Sequence, residues 1–201
     1  MTTSWPVAID VPDAKAFADF TGVEADLKIV IEFCDRLVSI FEGPKIDGLL
    51  MEALSTAAVI RYARCFASGV RTRLSDEVLV RLTPEERLLH DSVYALRQRH
   101  YAHSVNTFEE NRLVAWVSDD PDDAQVRSVA VQHGRISSLG LPTARGLADL
   151  TRRILAVVQE TLAQEGEKVL LLARKLPYEE LRNREMPEPF APKWSEVDQR
   201  R

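Results

Sequence analysis

The chain has 201 residues, of which 45% are apolar and 28% are charged, a balance typical of one globular domain. Its formal net charge of −5 excludes a global positive field, so any site for a polyanion must be a local patch. No stretch has the roughly 20 apolar residues that span a bilayer, and the first residues lack a signal-peptide pattern. With only two cysteines, Cys34 and Cys65, the chain is predicted to be a reduced, cytoplasmic protein.

The N-terminal part is predicted to be an irregular arm followed by two helices. Residues 1–12 contain two prolines and form the arm, and a short helix follows over residues 13–20. Thr21 and Glu24 match a capping box, which predicts that a second helix begins there and runs to about Phe41. Its apolar residues recur at the i, i+3, i+4, i+7 spacing of a buried helix face.

The next predicted helix spans Ile46 to Ser68 and carries a wide apolar face. That face comprises Ile46, Leu49, Leu50, Ala53, Leu54, Ala57 and Ile60. Two interpretations of Arg61 and Arg64 near its end are open: they are surface charges that complement the helix dipole, or they line a cleft with Arg99. Residues 70–82 are predicted to be a linker that holds one helical turn.

The following helix has the clearest start and an unusual end. Thr83 and Glu86 form a capping box around Pro84 at the first helical position, so the helix should begin at about Pro84. Projected as an ideal helix, one face carries Leu88, Leu89, Ser92, Ala95 and Leu96 and continues into Arg99, His100 and His103. The apolar stripe that should be buried therefore becomes basic at the C-terminal end of the helix. Basic groups need partners if they are buried. We expect this end to open into a cleft or an interface.

The rest of the chain predicts a hairpin, a long helix and a tail. Strands at 112–117 and 126–132 flank an acidic turn and give a β-hairpin over about 112–133. The four aspartates of that turn are more typical of a solvated turn than of a cation site. Helical periodicity returns from about Thr143 to Leu176, with a kink or break expected at Gly166, and the Pro-rich residues 177–201 form a tail.

The predicted fold is mainly α. It is one helical domain over residues 13–176, an antiparallel bundle of four main helices with the β-hairpin inserted before the last helix.

A motif at the end of the central helix suggests a family. Arg97 and His103 are separated by five residues, and Leu96-Arg97-Gln98-Arg99 is followed by Ala102-His103-Ser104. This pattern resembles the signature of the HEPN superfamily (higher eukaryotes and prokaryotes nucleotide-binding domains), in particular its abortive-infection and toxin branch. The resemblance is close over the motif and loose over the helix order of residues 24–176. It implies a helical bundle that cleaves RNA, usually as a homodimer that brings two motifs together.

The resemblance implies that Arg97 and His103 are the catalytic residues, with Gln98, Arg99 and His100 in supporting or phosphate-binding roles. The chemistry suits RNA, which carries its own nucleophile in the 2′-hydroxyl group, so neither a metal nor a cofactor is expected. Histidine exchanges protons near neutral pH, and arginine holds phosphate oxygens with its planar fork. On an ideal helix Arg99 lies one turn from His103, whereas Arg97 lies about 120° away, so Arg99 is the alternative functional arginine.

Structural interpretations of the same residues stay open. His103 can be a hydrogen-bonded core histidine, and Arg97 and Arg99 can be charges that complement a helix C-terminus. His100 and His103 have a spacing that could ligate zinc, although no Cys or third His stands at a supporting spacing.

The predicted partners follow from these interpretations. We expect RNA as substrate and a homodimer through the face that carries Arg99, His100 and His103, with a cognate inhibitor protein as a further partner. The alternative function is a non-catalytic HEPN-type module that binds a nucleotide, RNA or a protein, and a third interpretation is a purely structural helical dimer.

Overall fold

The computed structural model describes residues 4–12, 14–69, 72–101, 109–135, 137–187 and 195, and it is mainly helical. In chain order the elements are α1 (Ala14–Glu42), α2 (Gly48–Arg64), α3 (Asp76–Val80), α4 (Pro84–Leu96), a π-helical turn (Arg97–Tyr101), β1 (Glu109–Val117), a 3₁₀ turn (Pro121–Asp123), β2 (Val126–Arg135), α5 (Leu141–Ala173) and α6 (Tyr178–Arg182). The two strands form one antiparallel sheet. None of the helices within these ranges has the length and apolar character needed to cross a membrane.

The helices share one hydrophobic core. α1 packs against α5 and α2, and α4 packs against the same two helices. Fully buried side chains come from all four helices and include Leu27, Leu37, Val59, Tyr62, Val93, Leu147 and Ile154. Both cysteines are buried in this core and form no disulfide bond, and burial raises the pKa of the Cys34 thiol to about 12.

The predicted break between a short first helix and a second helix at Thr21 is wrong, because α1 is continuous from Ala14 to Glu42. The Thr21 hydroxyl donates to the carbonyl oxygens of Ala18, at 2.6 Å, and Phe17, at 3.1 Å, one turn back in the same helix. A threonine that bonds in this way lies inside a helix and caps nothing. Phe17 and Phe20 pack against the core, and this burial favours helix in the segment before Thr21.

The wide apolar face predicted for this helix is not the face that α2 buries. The helix begins after Asp47, whose side chain accepts a hydrogen bond from the Leu50 amide at 3.0 Å, and its buried residues are Met51, Ser55, Ala58, Val59, Tyr62 and Ala63. Leu49 is 81% exposed and Ile46 is 59% exposed. The buried face contains polar groups that are bonded by distant parts of the chain: the Ser55 hydroxyl accepts from the Leu139 amide at 3.0 Å. The predicted apolar face is therefore mostly at the surface, although its Leu54 packs against the core.

The start of α4 is as predicted. The Thr83 hydroxyl accepts from the Glu86 amide at 3.2 Å, and the Glu86 carboxylate accepts from the Thr83 amide at 2.8 Å, which completes the capping box. The predicted buried face is rotated from the observed one, since His90 and Val93 are buried while Leu88 is 69% exposed. The apolar pattern placed the buried face incorrectly because His90 is polar in sequence, although it is hydrogen-bonded and buried in the structure.

The predicted hairpin and long last helix are both present. Glu109 pairs with Arg135, and pairing continues to Val117 opposite Val126, with an irregularity after Trp116. The acidic turn folds on itself, because the Asp120 carboxylate accepts from the Asp122 amide at 3.0 Å. α5 passes through Gly166 without a break.

The role of Gly166 is to let two helices approach. A Cβ atom placed there would lie 3.2 Å from the Phe17 ring of α1. The first part of the predicted tail is partly helical, as α6, and the Arg184 guanidinium donates to the Ala8 carbonyl at 2.8 Å, which ties it to the N-terminal arm.

Candidate functional site

The first five residues of the motif form the π-helical turn that ends α4. Arg97 to Tyr101 leave the α-helical hydrogen-bonding pattern at the point where the sequence becomes basic. π-helical turns are rare, and they occur frequently at functional sites, because the wider turn places side chains where an α-helix could not. Face assignments drawn from an ideal α-helix therefore do not carry through this segment.

The five predicted site residues differ in exposure. Gln98 and Arg99 are exposed, whereas Arg97 and His100 are half-buried. The half-buried pair continues the observed buried face of α4, which runs through His90 and Val93. His103 lies among residues 102–108, outside the described part of the chain, so the predicted pairing of Arg97 with His103 stays a prediction.

The π turn packs against α2 through its last residues. The His100 and Tyr101 rings meet edge to face with centroids 5.0 Å apart. Burial raises the pKa of the Tyr101 hydroxyl, and the Glu52 carboxylate adds to this shift. Tyr101 is therefore a packing residue that anchors the turn.

The two arginines of the turn lack carboxylate partners among the described residues. Other arginines of the same region are ion-paired: Arg87 bonds Asp91 on the same helix at 3.3 Å, and Arg81 bonds Glu160 at 3.1 Å. Among the residues that the structure describes, no carboxylate lies within 4.0 Å of the guanidinium groups of Arg97 or Arg99. A guanidinium group without an internal counter-ion is suited to bind an external anion such as a phosphate group.

Arg61 and Arg64 do not belong to this site. Both reach across from α2 to the Asp26 carboxylate of α1, Arg61 at 2.8 Å and Arg64 at 2.9 Å. Asp26 is 4% exposed, so the pair of arginines compensates a buried charge. Neither interpretation drawn from the sequence anticipated this bond, because Asp26 and Arg61 are 35 residues apart.

Sequence reasoning also gave no role to His90, which the structure places in the core. Its Nδ1 atom lies 2.9 Å from the Tyr62 hydroxyl, and the ring contacts those of Phe66 and Tyr94. Burial lowers the pKa of His90, which favours the neutral ring. The nearest signal in the sequence was its position three residues before Val93 on the same helix.

Comparison with protein-family models, with characterised protein sequences and with solved structures finds no match to this chain. The family resemblance therefore rests on the motif at residues 96–104 and on the mainly helical architecture.

Proposed function

We propose that the chain is a HEPN-like, metal-independent endoribonuclease of the toxin or phage-defence type, acting in the cytoplasm. The observation that carries this proposal is the π turn, where Arg97 and Arg99 have no carboxylate partner in the described chain and lie beside half-buried His100. The turn ends at Tyr101, and His103 follows two residues later in the sequence. Cleavage of RNA by its own 2′-hydroxyl group needs a cation that binds the phosphate and a group that transfers protons. Arginine and histidine supply these two functions.

Each residue has a defined task in the proposed reaction. His103 removes the proton of the 2′-hydroxyl group or donates one to the leaving 5′-oxygen, and Arg97 holds the phosphate as negative charge develops. Exposed Arg99 binds the same or the next phosphate. His100, or His103 of a second copy, performs the other proton transfer. Attack of the 2′-oxygen on the phosphorus atom expels the 5′-oxygen and leaves a 2′,3′-cyclic phosphate.

The proposal includes the tertiary and quaternary arrangement that the motif implies. α1, α2, α4 and α5 would form the antiparallel bundle of four main helices, and a homodimer would bring two motifs together. An isologous pair of these turns would double the positive charge around the bound strand.

A second candidate function is a non-catalytic module that binds a protein partner, and the exposed face of α2 favours it. Ile46, Leu49 and Ile60 lie on this face and are 59%, 81% and 40% exposed. Ala53 lies between them and would let a partner helix approach closely. An amphipathic helix of a cognate inhibitor protein is the partner chemistry that such a stripe fits.

Growth on expression separates the two candidates. The ribonuclease should arrest its host, and Arg97→Ala or His103→Ala should relieve the arrest. Arg87→Ala is the matched control, since Arg87 lies on the same helix and its partner is Asp91. The purified chain should cut single-stranded RNA in the presence of a chelator and leave DNA of the same sequence intact.

Two outcomes would reject the ribonuclease. Harmless expression together with intact RNA would favour the binding module. Cleavage that disappears with chelator and returns with a divalent ion would refute the metal-independent mechanism.

A further inference from the structure

The β-hairpin has no core of its own. No strand within the described residues pairs with either of its edges. Cross-strand partners share a face, so Leu113, Ala115 and Val117 lie beside Val126, Val129 and Val131. Leu113 is 72% exposed, and Val129 is 66% exposed. The helical body does not cover these side chains, and six of the exposed large apolar residues in the described chain lie on the hairpin.

A two-stranded sheet in water is marginally stable, and three or more strands are needed for independent stability. Natural sheets protect free edges with charged residues, prolines or covering segments. Here residues 128–132 of β2 read Ser-Val-Ala-Val-Gln and residues 113–117 of β1 read Leu-Val-Ala-Trp-Val, with neither a charge nor a proline. Such unprotected edges favour a further strand. By contrast, the exposed stripe of α2 belongs to a helix that is already held by a buried face.

We propose that the hairpin is the dimerisation element of this chain, and that two copies join β2 to β2 across a two-fold axis at Ala130, forming one four-stranded antiparallel sheet.

The sequence of β2 is self-complementary about this axis. Val129 of one copy lies opposite Val131 of the other, twice, on the apolar face. Ser128 lies opposite Gln132 on the other face, and small Ala130 lies opposite itself. An isologous pairing of this kind closes after two copies.

The other edge is less suited to the same pairing. A two-fold axis at Ala115 would also match apolar residues near the centre. However, β1 ends at Val117, so such a pairing would span only the five residues Leu113–Val117. Pairing of β2 about Ala130 stays within the strand over the nine residues Val126–Gly134. The longer pairing favours β2.

This dimer deepens the proposed function, because it places the contact of the proposed homodimer on the hairpin; its test uses no RNA, so its failure is distinguishable from failure of the ribonuclease activity. It assigns the contact between copies to the hairpin and leaves the exposed arginine of the π turn open to a ligand.

The test is the mass of the full-length chain in solution by sedimentation or light scattering at micromolar concentration. We expect twice the 22.7 kDa mass of one chain. Ala130→Lys places two ammonium groups opposite each other at the axis and should weaken the dimer about fivefold or more, with an unchanged helical circular dichroism signal. Ala130→Glu should do the same, and an equal mixture of the two variants should restore the dimer.

Ala115→Lys is the matched control, because Ala115 is also exposed at mid-strand but lies on the other edge. It should remain dimeric. Ala130→Cys should form a disulfide-linked dimer under mild oxidation, since facing residues of an antiparallel pair have Cα atoms about 4.5–5.5 Å apart, within disulfide range. Cys34 and Cys65 are buried and will not compete.

Three results would overturn the proposal. The first is a wild-type monomer, the second is a dimer broken by Ala115→Lys but not by Ala130→Lys, and the third is open-ended growth of larger species with concentration. If the lysine variant does not fold, failure of Ala130→Cys to cross-link has the same meaning.

Discussion

The bond between buried Asp26 and the two arginines of α2 predicts an asymmetry in stability. Asp26 is 4% exposed, whereas the side chains of Arg61 and Arg64 are 36% and 57% exposed. Removing both arginines leaves a carboxylate charge in the core, and this kind of loss costs about 3–5 kcal/mol. Asp26→Asn removes the charge and leaves two arginines that can reach water, so its cost should be about 1–2 kcal/mol.

Combining these substitutions tests whether the effect of Asp26→Asn on the free energy of unfolding changes sign when both arginines are absent. Asp26→Asn should destabilise the wild-type chain, yet it should stabilise the Arg61→Ala/Arg64→Ala variant by about 2 kcal/mol, because it removes a buried charge that has lost both of these arginines. The free energy of unfolding can be measured by urea denaturation followed by circular dichroism. If Asp26→Asn destabilises both backgrounds equally, the burial argument is refuted.

Three further predictions test the fold. Thr83→Ala should lose about 1 kcal/mol of unfolding free energy, because a real helix cap is removed, whereas Thr21→Ala should change it by less than about 0.5 kcal/mol, as urea denaturation will show. Since burial lowers the pKa of His90 below its ordinary value of 6.5, the unfolded chain binds the proton more readily, and stability should fall as pH drops below about 6.5; His90→Gln should show a smaller loss between pH 7 and 5. Gly166→Ala should gain up to about 1 kcal/mol of thermal stability only when Phe17→Leu has removed the ring that a Cβ atom would approach.

Local signals in the sequence predicted most of the helices and the hairpin, while faces and partners depended on distant residues. The capping box at Thr83 worked because its geometry is complete within four residues. The same pattern at Thr21 failed, because the residues before it pack against the core and extend the helix. A capping pattern alone does not tell whether the preceding segment is buried.

The buried faces of α2 and α4 could not be predicted for a related reason. Ser55 and His90 look polar in sequence, but each is bonded in the core by a partner far along the chain, Leu139 for Ser55 and Tyr62 for His90. Apolar periodicity predicts burial for the helix face with the most apolar residues, and in α2 most of that face is at the surface. The motif at Arg97 could be recognised in the sequence. Its π-helical turn, and the lack of carboxylate partners for Arg97 and Arg99, could be seen only in the three-dimensional structure.

The most direct test of the central claim is cleavage of an RNA strand whose cut site has been mapped, with one 2′-deoxynucleotide placed on the 5′ side of that site. The assay contains chelator, and the product ends are identified by mass spectrometry. We predict that the all-RNA strand is cut to a 2′,3′-cyclic phosphate and that the substituted strand is not cut at that position. Arg97→Ala and His103→Ala should abolish cleavage, whereas Arg87→Ala should not. Cleavage of the substituted strand at the same position, or full activity of His103→Ala, would contradict it.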